Sequence, residues 1–82
     1  MKDLPEDKLY YSISEVAEAL DVAPSLLRYW QTEFPSIDPK RNKKGNRFYS
    51  KKDVETLKLI YHLVKEQGHT LQGAKEKMRK KQ

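Results

Sequence analysis

The 82 residues include 17 Lys and Arg against 12 Asp and Glu, a formal net charge of +5, and no cysteine. That length holds one small domain with a modest core. The missing thiols exclude a disulfide framework, a thiolate metal centre and a cysteine nucleophile.

A basic balance favours polyanionic partners, although where the cations fall matters more than their sum. No apolar run approaches membrane-spanning length, and the opening MKDLPEDK lacks the features of a signal peptide. A globular protein or fragment, with a cytoplasmic location, is expected.

Residues 1–9 are polar and contain Pro5. They are expected to form a loose tail, with the domain proper over 10–82. Tyr10 and Tyr11 can form a short strand. Ser12-Ile13-Ser14-Glu15 has the spacing of a capping box, in which the Ser12 hydroxyl and the Glu15 carboxylate each take the other residue's backbone N–H. Ile13, Val16, Ala17 and Leu20 then recur at helical spacing. Asp21-Val22 turns the chain. Pro24 suits the first position of a second helix, where its missing donor costs nothing, while Ala23 is a poor cap. Leu27, Trp30 and Phe34 make the apolar stripe of that helix, with Leu26 beside them, and Pro35 ends it. Two short helices and a tight turn match a helix-turn-helix.

Residues 36–49 lack helical periodicity. Asp38-Pro39 opens a loop, Gly45-Asn46 suits the positive φ values of a tight hairpin turn, and Ile37 and Phe48 are candidate anchors for two short strands. The segment reads as a β-wing with its tip at Lys43 to Asn46. Ser50 caps the next helix, with Asp53 favourable at its positive end. Its apolar side carries Val54, Leu57, Ile60, Tyr61 and Val64, with Leu63 adjacent, and Gly68 stops it. Thr70 caps a last helix bearing Leu71, Ala74 and Met78. The predicted fold is mainly α with a small β-wing, a winged helix-turn-helix of about four helices.

Chemistry concentrates in two places. If Leu27 and Trp30 point inward, Ser25 and Arg28 point away, and the Arg28 guanidinium can reach a phosphate or a base edge. Tyr29 offers a hydroxyl to phosphate, or else covers the edge of the core. From Lys40 to Lys52 the chain carries Lys40, Arg41, Lys43, Lys44, Arg47, Lys51 and Lys52 with no acid among them. Such a wing can lie along a nucleic-acid backbone and displace its counterions; the plainer alternative is a solvated hairpin. Trp30, Phe34 and Phe48 are expected in the core. His62 and His69 are not spaced as a helical ligand pair, Asp53 and Glu55 read as helix-start charges, and no nucleophile–base set or phosphate-cradling glycine loop is evident. Neither an enzyme, a metal site nor a cofactor is expected.

The order Tyr11-Ser12-Ile13, Glu15-Val16-Ala17, Leu27-Arg28-Tyr29-Trp30, Gly45-Asn46-Arg47-Phe48-Tyr49-Ser50 and Asp53-Val54 resembles the DNA-binding domain of the MerR family. The spacing of Leu57, Ile60 and Gly68-His69-Thr70-Leu71 agrees, so the likeness covers roughly residues 10–80. It implies a bacterial transcriptional regulator that binds double-stranded operator DNA as a dimer and distorts promoters. The second helix would enter the major groove, while Arg28, Tyr29, Arg47 and Tyr49 hold the backbone. With Ser25, Arg41, Lys43 and Lys44, these residues make up the expected DNA-binding set. The chain departs from the family pattern at Lys44-Gly45-Asn46, where an asparagine–glycine–tyrosine is usual, and at Ala23, where a serine is usual. Members of the family continue into a coiled-coil helix that makes the homodimer. No heptad seam of useful length follows the fourth helix here, so this segment is expected to be a monomer. A chaperone-adaptor-like interaction module and an excisionase-like architectural protein are the alternatives on the same scaffold.

Overall fold

Ser12 begins the helical part of the chain as the capping box requires. Its Oγ accepts the Glu15 N–H at 3.1 Å, and Glu15 Oε1 accepts the Ser12 N–H at 3.0 Å. A computed structural model describes residues 4–80 of the chain. The elements are β1 (Tyr10–Ser12), α1 (Ile13–Leu20), α2 (Pro24–Glu33), β2 (Lys40–Arg41), β3 (Arg47–Ser50), α3 (Lys51–Tyr61), a π-helical turn (His62–Glu66) and α4 (Leu71–Lys80). This is a winged helix-turn-helix with four α-helices.

Asp21 closes α1 in the left-handed conformation, φ 56°. That region is open to an Asp at small cost, and it sends the chain straight into α2. There Pro24 occupies the first turn behind Ala23, which offers no side-chain cap. Phe34 ends α2, its N–H reaching the Trp30 carbonyl at 2.9 Å. Val16, Ala17 and Leu20 of α1, Leu27 and Trp30 of α2, and Val54, Leu57 and Ile60 of α3 meet in one core, which Phe34, Ile37, Leu63 and Ala74 complete. Burial of side chains of this size contributes roughly 1.5–3 kcal/mol each.

A second capping box starts α3. Ser50 Oγ accepts the Asp53 N–H at 3.2 Å, and Asp53 Oδ2 accepts the Ser50 N–H at 3.4 Å. The other oxygen of the buried Asp53 accepts the Asp38 N–H at 3.3 Å, which ties the loop after α2 to the start of α3. Thr70 Oγ1 accepts the Gly73 N–H at 3.0 Å and caps α4.

Four features differ from the sequence-based expectation. The wing is part of a three-stranded antiparallel sheet of order β1-β3-β2, because Tyr10–Ser12 pair with β3 in the register Tyr11↔Tyr49. Within β3 the alternation runs opposite to the one expected. Tyr49 is buried, 0 % exposed, whereas Phe48 is only half-buried and lies outside the core. Ile37 is buried but belongs to a loop, not a strand. The third helix does not run unchanged to Gly68. Its last turn widens, with the Gln67 N–H reaching back five residues to the His62 carbonyl at 3.0 Å. The His69 N–H then bonds the Leu63 carbonyl at 2.9 Å around Gly68, φ 73°.

The tail is also tied down over its described part. Leu4 packs against the core, the Tyr11 hydroxyl donates to the Pro5 carbonyl, and Lys51 Nζ donates to the Glu6 carbonyl at 2.7 Å. Lys8 Nζ sits 2.7 Å from both oxygens of Glu15. Residues 1–3 of the expected tail lie outside the described residues.

Candidate nucleic-acid interface

The inward side of α2 is set by Leu27 and Trp30, 0 % and 1 % exposed. Helical periodicity then puts Ser25, Arg28, Tyr29 and Thr32 on the outward side, and all four are exposed. Tyr29 keeps 51 % of its surface in solvent and is not part of the core cluster. Thr32 Oγ1 donates to the Tyr29 carbonyl at 2.6 Å.

The wing tip is organised by Asn42. Its Oδ1 accepts the Lys44 N–H at 2.9 Å and the Asn46 N–H at 3.0 Å, and its carbonyl accepts the Gly45 N–H at 3.0 Å. Gly45 alone takes a positive φ, 83°, and Asn46 does not. That combination suits a three-residue hairpin loop, not the two-residue turn expected. Arg41, Lys43 and Lys44 stand exposed around this tip.

Two observations define the electrostatics where wing and helix meet. Arg41 and Arg47 are direct cross-strand partners, a like-charge pairing that destabilises a sheet. Arg47 is half-buried, and its Nε is buried without a hydrogen-bond partner. Among the described residues, the ion pairs are Lys8–Glu15, His62–Glu66 and Lys75–Glu33, so none of Arg28, Arg41 and Arg47 has a carboxylate partner.

Tyr49 lies on the same face of β3 as Arg47, two residues on, and its hydroxyl donates to Gln31 Oε1 of α2 at 3.2 Å. Burial pushes the phenol above its usual range, the charges of Arg47 and Arg28 pull it down, that of Asp53 pushes it up, and that of Arg41 pulls it down.

Of the residues expected to touch a backbone, the structure places Ser25, Arg28, Tyr29, Arg41, Lys43 and Lys44 on the surface and Arg47 partly beneath it. Tyr49 is the exception. It is a buried core residue. Sequence reasoning overlooked Gln31 and Thr32. Both follow from Arg28 at helical spacing, whereas period-two alternation counted from Arg47 puts Tyr49 on the face of Arg47 and does not say which face is inward.

Clefts also occur away from the wing. One of about 610 Å³ is lined by Leu4, Glu6, Tyr11, Lys51, Val54, Glu55 and Lys58, on the side of α3 that holds the tail. His62, half-exposed, is engaged on both ring nitrogens, by Glu66 at 2.9 Å and Gln67 at 3.1 Å.

Residues 11–81 match the profile of the MerR HTH family regulatory proteins. The chain belongs to the MerR family. It is 35 % identical over 68 residues to an uncharacterized HTH-type transcriptional regulator of Bacillus subtilis strain 168, YyaN, covering 83 % of this chain and 49 % of that protein. It is 30 % identical over 66 residues to the HTH-type transcriptional regulator ZntR of Escherichia coli K12, covering 80 % of this chain and 46 % of ZntR. The chain thus spans about half the length of these MerR-family relatives. Among solved structures it resembles HiNmlR, a MerR family regulator lacking the sensor domain, in its crystal structure bound to promoter DNA. The TM-score is 0.64 at 27 % identity, over 82 % of this chain and 52 % of that one.

Proposed function

We infer that this chain is the operator-binding domain of a MerR-like transcriptional regulator, with double-stranded DNA as its partner. The observation that carries this reading is a set of cations in no ion pair among the described residues, the exposed Arg28 on the outward side of α2 and the cross-strand pair Arg41 and Arg47 on the wing. The repulsion between Arg41 and Arg47 is relieved by an external polyanion. A helix is the right width for the major groove, and the wing cations then fall on the flanking backbone. The likeness to a regulator solved on promoter DNA supports the same docking.

In this reading Ser25, Arg28 and Tyr29 approach the groove and its rim, and Arg41, Lys43, Lys44 and Arg47 contact phosphates. The chain works in the cytoplasm as a binding module and not as an enzyme. Longer relatives would supply the dimerising segment. Fluorescence anisotropy of a labelled duplex, titrated with the 82-residue chain at rising salt, tests the reading. Each phosphate neutralised contributes a slope of about −0.9 in log K against log salt. Several phosphate contacts are expected. No measurable duplex binding at low salt, or binding indifferent to salt, would overturn it.

A further inference from the structure

Where α2 meets β3 the chain holds one neutral polar group with unspent hydrogen-bond donors. Gln31 is half-buried on α2, between the exposed Arg28 and the end of the helix. Its carbonyl oxygen is taken by the Tyr49 hydroxyl at 3.2 Å. Neither of its amide N–H groups donates to any described residue. A tyrosine buried this completely has to satisfy its hydroxyl. Here it does so by reaching from the wing strand to the recognition helix, and not to the backbone of its own sheet.

The hydrogen bond has a directional consequence. With Oε1 engaged by the buried phenol, the amide plane is set, and its two donors remain for a partner from outside. The wing that Tyr49 ties to this helix carries two arginines. Arg47 projects from the same face of β3 as Tyr49 and carries a buried, unpartnered Nε. Arg41 stands opposite Arg47 across the hairpin. An anion is the ligand that satisfies donors on this amide, relieves the Arg41–Arg47 repulsion and does not have to reach Tyr49.

We propose that Gln31 is a phosphate-contacting residue at the junction of α2 and the wing, held in position by the buried Tyr49 hydroxyl, so that helix and wing grip one backbone phosphate as a unit. The proposal rests on the DNA-binding reading above and refines it. Tyr49 is then a positioning residue. It never touches DNA, yet it sets the orientation of a side chain that does.

The test uses the 82-residue chain and the tightest duplex recovered by selection from a random library with that chain. Gln31→Met, which keeps the side chain's length and removes its polarity, should weaken binding about three- to tenfold, the worth of one hydrogen bond, and should also lower the melting temperature, because it leaves the buried Tyr49 hydroxyl without its acceptor. Gln31→Glu keeps the acceptor for Tyr49 but sets a carboxylate among the arginines, so it should weaken binding further. Tyr49→Phe should weaken binding in the parent chain but add no further loss in the Gln31→Met background, since the two act through one contact. Scanning the duplex with single methylphosphonates should find one phosphate whose neutralisation abolishes the difference between parent and Gln31→Met. A purely structural hydrogen bond would lower the melting temperature in the same way but show no such phosphate. Parent-like binding by Gln31→Met or Gln31→Glu, or independent, additive losses from Tyr49→Phe and Gln31→Met, would overturn the proposal while leaving DNA binding intact. Failure of the parent chain to bind any duplex would overturn both.

Discussion

Trp30 and Arg28 sit two residues apart on α2 and are expected to fail in opposite ways. Trp30 is 1 % exposed at the centre of the core. Trp30→Ala should cost about 3–5 kcal/mol of folding free energy, a large share of what so small a domain has, and chemical denaturation should show it largely unfolded. Arg28 is exposed and in no ion pair among the described residues. Arg28→Ala should leave the denaturation midpoint within a few tenths of its parent value and weaken duplex binding severalfold, with a salt slope shallower by about one. A stable Trp30→Ala protein would mean that α2 is rotated about its axis relative to the core. Tyr49 gives a pH signature. Its phenol is raised above the ordinary 10.0 chiefly by burial. The folded state therefore keeps the proton that the unfolded state gives up. This contribution to stability is complete below about pH 10 and is lost as pH rises through the raised folded value. Tyr49→Phe should flatten the alkaline limb of a stability–pH curve, and an unchanged limb would place the hydroxyl in solvent.

The tail, the capping boxes and the hairpin show which elements are visible in sequence and which are not. The Ser12–Glu15 capping box, the Ser50 cap, the Ala23 weakness, the Gly68 stop and the Leu27–Trp30–Phe34 stripe of α2 were legible, because each rests on residues within one or two turns of one another; the stripe of α3 was legible as far as Ile60, beyond which Leu63 and not Val64 enters the core. The phase of β3 was not. In a four-residue strand a single step exchanges the faces, and Phe48 is the more apolar of the two candidates. What decides for Tyr49 is a partner 18 positions away, Gln31. The docking of the tail was hidden for the same reason, since Lys51 and Glu6 are 45 positions apart. That docking can be measured at Glu15, whose carboxyl is held below its ordinary 4.5, first by the hydrogen bond from Lys8 and next by the Ser12 N–H. A lowered folded value means stability present above the unfolded value and lost as pH falls through the folded one. Lys8→Ala should raise the Glu15 value toward 4.5 in a carboxyl-carbon NMR titration and shift this acid loss to higher pH. An unmoved resonance would mean that Lys8 is swinging free.

Taken as a whole, the molecule spends its apolar residues on one core. Among the described residues the large apolar side chains left exposed are the adjacent Leu9 and Tyr10 and, on α2, Tyr29, too few to supply the roughly 1,200–2,000 Å² that a stable protein interface buries. Sedimentation of the 82-residue chain at micromolar concentration should therefore report a monomer, and a tight dimer would reveal a self-interface on this segment. An appended antiparallel coiled coil should then tighten operator binding through effective concentration alone, if its geometry lets two domains reach adjacent half-sites. The connection from α3 to α4 carries a different lesson. The turn His62–Glu66 spends one residue more than an α-helix would over the same rise. Such a turn stores a surplus residue without rotating what lies on either side. Here the chain should be forgiving of a change in its own length. Deleting the exposed Lys65 should let the turn close as ordinary α-helix, with Leu63 and Ala74 still facing the core and cooperative melting preserved. Deleting Lys58 from α3 should turn Ile60 and Leu63 away from the core by about 100° and abolish folding. If that difference holds, this stretch of the domain is where a reading frame can lose a codon and still encode the same fold.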